Sequence, residues 1–218
     1  LLLTSCEKNK VSDILTGQTS TFPVPKTENA IDLGLSTDWA PYNIGANNPE
    51  DYGNYYSWGE TEYKTEYTQE TYTYQGTGEI TGTESDAAHA KWGNGWRLPT
   101  KSEIEELSSK CNWKDTVFNG AKGVLITASN GNSIFLPAAG TAKGENIIDE
   151  GFSGCYMNGN EPDSRTYYFE NEFEKYIGFT VRPVIDPIEL VTVDKVIQKE
   201  DFSYSFIKDE IRHISFLF

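Results

Sequence analysis

The sequence predicts an α+β fold with two short helices and several short, mostly antiparallel strands. Short apolar runs bounded by Gly and Asn recur through the middle of the chain, and two separate segments carry helix signals. Strands and helices do not alternate along the chain, as the crossovers of a parallel α/β sheet would require.

Taken in order, Ile31-Asp32-Leu33-Gly34-Leu35 reads as the first strand. A helix is expected around Ser85 to Lys91, where Ala87, Ala88 and Ala90 are good helix formers and Trp92-Gly93 ends the run. The second helix is better marked. Thr100-Lys101-Ser102-Glu103 has the capping-box spacing, in which the hydroxyl and the carboxylate each satisfy an orphan backbone N–H. With Pro99 before it and Ile104, Leu107 and Cys111 at helical spacing after it, the helix is placed at 101–110 with one buried face. Gly123-Val124-Leu125-Ile126-Thr127 and Ser133-Ile134-Phe135-Leu136 read as strands, and Asn130-Gly131-Asn132 between them is a hairpin signal because both residue types tolerate positive φ. Gly178-Phe179-Thr180-Val181 reads as the last strand of the domain.

The ends differ in character. Leu1-Leu2-Leu3-Thr4-Ser5-Cys6 has an apolar run, small polar residues and then a cysteine, the order of a bacterial lipobox. Residues 1–5 are therefore expected to be a signal-peptide remnant and Cys6 the lipidated residue. Residues 6–27 are mostly Ser, Thr, Lys, Asn and Gln, a tether whose flexible reach is roughly 25 Å. Residues 28–185 make one domain, large enough for a sizeable core, which carries all five Trp. Residues 186–218 follow a break at Asp186-Pro187 as an extension of no assigned role, in which Phe202, Tyr204 and Phe206 alternate as in a strand.

Composition narrows the partners. A net charge of -15, from 33 acidic and 18 basic residues, repels phosphates and argues against nucleic acid. The expected membrane contact is through the N-terminal lipid, at the bacterial outer membrane or cell surface. Cys111 and Cys155 suit either a disulfide or two buried small hydrophobes. They are not spaced as zinc ligands.

Several blocks together resemble a known family. They include Trp39-Ala40, Asn43-Ile44-Gly45-Ala46, Asp51-Tyr52-Gly53-Asn54-Tyr55-Tyr56-Ser57-Trp58-Gly59-Glu60, Trp92-Gly93-Asn94-Gly95-Trp96-Arg97-Leu98-Pro99-Thr100, Phe135-Leu136-Pro137-Ala138-Ala139-Gly140 and Val181-Arg182-Pro183-Val184. In this order they resemble the Fibrobacter succinogenes major paralogous domain over about residues 30–184. That family is commonly found in secreted or lipid-anchored proteins of Bacteroidetes and is similar to C-type-lectin-like folds. The resemblance implies paired helices and a loop-rich ligand face. Gly154-Cys155-Tyr156-Met157-Asn158 departs from the family's Gly-Tyr-Tyr-Trp-Ser-Ser-like block, and no family role is carried to it.

Candidate chemistry is sparse. The Trp residues are expected mostly in the core, whereas the series Tyr63, Tyr67, Tyr72 and Tyr74 is expected on an exposed face. Asn158-Gly159-Asn160-Glu161-Pro162-Asp163 has oxygens at the close spacing that calcium uses, and it resembles the Glu-Pro-Asn loop of calcium-dependent lectins. It lacks the amide at Asp163 and a following Trp-Asn-Asp block, so a solvated acidic turn is favoured and no cofactor is expected. The span from Tyr156 to Tyr168 is rich in side chains that make adaptable contacts, and Tyr156, Asn158, Asn160, Asp163, Arg165 and Tyr167 are the candidate ligand-binding residues. Gly151-Phe152-Ser153-Gly154-Cys155 fails the nucleophile-elbow pattern at its last position, and the glycines from Gly76 to Gly82 lack dinucleotide spacing.

The reading that joins these observations is a non-enzymatic surface lipoprotein whose domain binds glycan or protein. Its alternatives are a structural component acting through the C-terminal tail and a metal- or cysteine-dependent oxidase.

Overall fold

The structure, a computed structural model, describes residues 25–160, 174–187, 196–198 and 204–206. A 3₁₀ turn at Thr27–Asn29 leads to β1, Asp38–Trp39. Helix α1 spans Ala87–Trp92 and α2 spans Lys101–Lys110. Strands β2, Asn112–Phe118, β3, Ala121–Thr127, and β4, Ser133–Pro137, form a three-stranded antiparallel sheet in that order. A small hairpin joins β5, Thr141–Lys143, to β6, Asn146–Ile148. Strand β7, Val184–Ile185, returns antiparallel to β1, with Asp38 opposite Ile185 and Trp39 opposite Val184. Among the described residues the fold is α+β, with two helices and short antiparallel strands in small sheets.

The chain divides into two compact units, Leu1–Pro187 and Ile188–Phe218. Within the second, β8, Val196–Gln198, pairs antiparallel with β9, Tyr204–Phe206. Cys6, the lipobox and the tether up to residue 24 lie outside the described residues. Among the described residues no helix is long and apolar enough to cross a membrane.

Both helices begin where a side chain can satisfy their orphan N–H groups. At α2 the Thr100 hydroxyl accepts from the Glu103 N–H at 3.3 Å, and the Glu103 carboxylate accepts from the Thr100 N–H at 2.7 Å. At α1 the buried Asp86 carboxylate accepts four backbone N–H groups, those of Gly82, Ala88, His89 and Leu98. Two of these belong to the helix and two to the loops flanking it, so one side chain ties three segments together. Burial pushes the Asp86 carboxyl up while the four N–H groups pull it down.

The helical face of α2 then closes the sheet. Ile104 and Leu107 pack on Val124, Ile126, Ile134 and Leu136, which share one face of β3 and β4 by register. Burying each such side chain stabilises by roughly 1.5–3 kcal/mol. A second cluster surrounds Trp58, Trp92 and Trp96, the last two meeting edge to face at 5.5 Å.

The strand expectations divide. The hairpin at Asn130-Gly131-Asn132 forms, closed by Ala128 N–H donating to the Asn132 carbonyl at 2.9 Å. Ile31 to Leu35 is not a strand: the Asp32 carboxylate accepts the Gly34 N–H at 2.6 Å, Gly34 turns to φ 68°, and only the Ile31 to Trp39 bridge remains. Gly178 to Val181 is also no ladder, because Gly178, Phe179 and Thr180 bridge to three different segments, at Ala142, Tyr56 and Tyr156. Strand β2 was not foreseen. Its side chains are mostly exposed, so it shows no buried periodicity to read.

The tyrosine series is corrected at Tyr67. Its ring is buried, and its hydroxyl donates to the Tyr55 carbonyl at 2.6 Å while accepting the Lys64 N–H at 3.0 Å. Tyr63 keeps the expected exposure, whereas Tyr72 and Tyr74 are half-buried, Tyr74 packing edge to face on Trp58 at 5.4 Å. Trp39, Trp58, Trp92 and Trp96 are buried as expected of core residues, and Trp113 is half-buried.

Candidate functional site

The inner face of the β2–β4 sheet is longer than the helix that covers it. On β2 the alternation of an antiparallel ladder puts Trp113, Asp115 and Val117 on the same face as Lys122, Val124 and Ile126 of β3. Past the contact with α2 this face opens into a groove of about 410 Å³, within the range of small-ligand sites. Val124, Leu136 and Tyr156 line it from the core side, and Trp113 and Phe152 line it from the flanks.

Both flanking rings are positioned by backbone. The Trp113 indole N–H donates to the Leu107 carbonyl at 3.3 Å, in the last turns of α2. Phe152 stands on a tight turn in which Phe152 N–H and Ser153 N–H both donate to the Asp149 carbonyl at 3.0 Å. That turn is fastened to the end of β4 by Gly151 N–H donating to the Ala138 carbonyl and Gly140 N–H donating to the Ser153 carbonyl, both at 2.7 Å. Phe152 is nonetheless 77% exposed, and a phenyl ring displayed on so constrained a turn is available for contact. The Lys122 ammonium lies 4.8 Å from the centre of that ring, a cation–π distance.

Of the six candidate ligand-binding residues, the structure brings one to this groove. Tyr156 contributes to its lining but is itself buried, and its hydroxyl donates to the Pro137 carbonyl at 2.8 Å. Its polar tip, expected to face a ligand, is thus engaged by backbone. Asn158 and Asn160 serve the backbone: Asn158 Oδ1 accepts the Asn160 N–H at 2.9 Å, and Asn160 Oδ1 accepts the Lys101 N–H at 2.7 Å. The second bond caps α2 and moors the loop to the helix start. Asp163, Arg165 and Tyr167 lie outside the described residues. The two amide oxygens counted toward calcium are thus engaged by N–H donors, and among the described residues no group of three or more His, Cys, Asp or Glu gathers to hold a metal.

Cys111 and Cys155 are free thiols, packed against different core clusters. Burial pushes both thiols up, assisted at Cys111 by Glu106 and at Cys155 by Asp149.

Trp113, Asp115, Lys122 and Phe152 were missed as site residues. For Phe152 a signal existed, since a large ring between Gly151 and Ser153-Gly154 has few neighbours to bury it. The others depend on the register of β2, which its composition hides. Comparison with models of known families, with curated proteins and with solved structures found no match. The geometry of the groove therefore carries the functional argument.

Proposed function

We propose that this chain is a non-enzymatic recognition module, held outside the cell by lipid on Cys6, whose lectin-like domain binds glycan or protein in the groove on the β2–β4 sheet. The observation that carries the reading is Phe152, an exposed ring on a turn tied at both ends, standing beside a preformed apolar groove. Recognition sites combine such an anchor with walls that need little rearrangement.

Membership of the Fibrobacter succinogenes major paralogous domain, and with it the lectin-like architecture, is supported by the way its blocks meet. Asn43 and Arg182, far apart in sequence and each in a matching block, are joined by a buried hydrogen bond, and the pairing of β1 with β7 brings the two ends of the domain together. The oxidase alternative is disfavoured by the thiols, because a raised pKa lowers the thiolate fraction that such chemistry uses.

The test is a glycan array and a surface pulldown with the full chain and with Phe152→Ala. Binding lost in the variant, with unfolding unchanged, is the expected result. Binding that survives the substitution would move the site elsewhere.

A further inference from the structure

The groove is apolar on most sides, yet it holds one cation. Among the described residues lining it, Lys122 is the sole basic side chain. Its ammonium rests on the Phe152 ring at 4.8 Å, and among the described residues no carboxylate pairs with it. The chain as a whole is acidic, with a net charge of -15. Asp115 stands on the same face one ladder step away, across from Val124, while Lys122 stands across from Val117. The two charges give the groove a polarity along the strand, positive toward the β2–β3 turn.

Charge and lining together select a ligand. A neutral sugar uses neither the ammonium nor the apolar floor of Val124 and Leu136 to advantage, and a polyanion is repelled by Asp115 and by the surface at large. A single carboxylate next to an apolar side chain fits both features. We infer that the groove takes the C-terminal end of a peptide, with an apolar last residue among Trp113, Phe152 and Leu136 and its free carboxylate on Lys122. The aromatic face under the ammonium holds that charge in place before the ligand arrives, which spares ordering on binding.

This inference rests on the recognition reading above, and its test separates the two. The full chain is titrated by NMR with N-acetyl-Gly-Gly-Phe, with the same tripeptide as its C-terminal amide, with a neutral gluco-oligosaccharide and with one ending in glucuronate. The free acid is expected to bind at least tenfold more tightly than the amide. Lys122→Gln should abolish that preference, whereas Lys114→Gln, which removes the same charge from the opposite face of β2, should leave it intact. Equal binding of acid and amide, or a preference that survives Lys122→Gln, overturns the inference. An oligosaccharide that binds in a Phe152-dependent manner while the peptides do not overturns the inference and leaves the groove a recognition site. Failure of all four probes overturns the inference, and Phe152-independent capture in the array and pulldown would remove the groove reading as well.

Discussion

The Arg182 guanidinium donates from Nε to Asn43 Oδ1 at 2.8 Å, in the interior and without a carboxylate among its bonded partners. Its remaining donors reach the carbonyls of Ala40, Pro41 and Phe135. Burial holds its pKa down to about 10, against a smaller upward push from Tyr156, so the charge is retained at neutral pH. Asn43 in turn donates to the Tyr52 carbonyl at 2.9 Å.

Arg182→Met is expected to destabilise by about 3 kcal/mol or more, because it strands several buried acceptors at once. Asn43→Ala should cost about 2 kcal/mol. The double variant is expected to lose less than the sum, with a coupling of roughly 1 kcal/mol or more. Denaturant unfolding of the three variants measures this, and strict additivity would show that the two residues act independently.

At Asp86 a single substitution should unfasten three segments. Asp86→Ala removes the acceptor of four N–H groups. A loss of roughly 3 kcal/mol is expected, more than an ordinary helix cap supplies. Hydrogen exchange should show faster amides at Gly82 and Leu98 as well as at Ala88 and His89; an effect confined to α1 would reduce Asp86 to a simple cap.

Leu107→Ala opens the contact between α2 and the sheet and should cost about 2–5 kcal/mol. Phe152→Ala should change stability by less than about 0.5 kcal/mol, as its ring is mostly in solvent. Thermal melts compare the two directly. A large loss from Phe152→Ala would mean that the ring is structural.

Acid should weaken the domain partly through Glu106. The Lys110 ammonium, followed by the Ser36 hydroxyl and N–H, holds this carboxyl down to about 2 from 4.5. A lowered folded-state pKa contributes stability that is complete above the unfolded value and is lost as pH falls through the folded one. The window is therefore from about pH 4.5 down to about 2. Because the group is close to solvent, the contribution is discounted to about 1 kcal/mol or less. Glu106→Gln should flatten the pH dependence of unfolding in that window; an unchanged slope would remove Glu106 from the acid response.

Legibility followed the kind of physics involved. The α2 boundaries were readable because a capping box is a local, four-residue signal, and the Asn130-Gly131 turn was readable for the same reason. Asn119-Gly120 closes the β2–β3 hairpin with φ values of 46° and 91°, so the same local rule applied to residues 119–120 would have exposed β2. The groove was not legible. It depends on which residues of β2 face Lys122 and Val124, a register fixed by pairing and not by composition. Tyr156 illustrates the same limit: it was read as the start of a polar loop, yet it is buried, with its hydroxyl beside Asn43, which Arg182 in turn holds from 139 positions away.

The pairing of Asp38 with Ile185 and of Trp39 with Val184 has a mechanical consequence. Tension applied to both ends of the domain would pull on this two-residue seam, and because Trp39 and Val184 pack in the cluster of Leu107 and Ile185 in that of Trp96, the pull would reach both cores at once. The seam thus ties the ends of the domain to the interior, so its strands cannot part without opening the packing around Trp96 and Leu107.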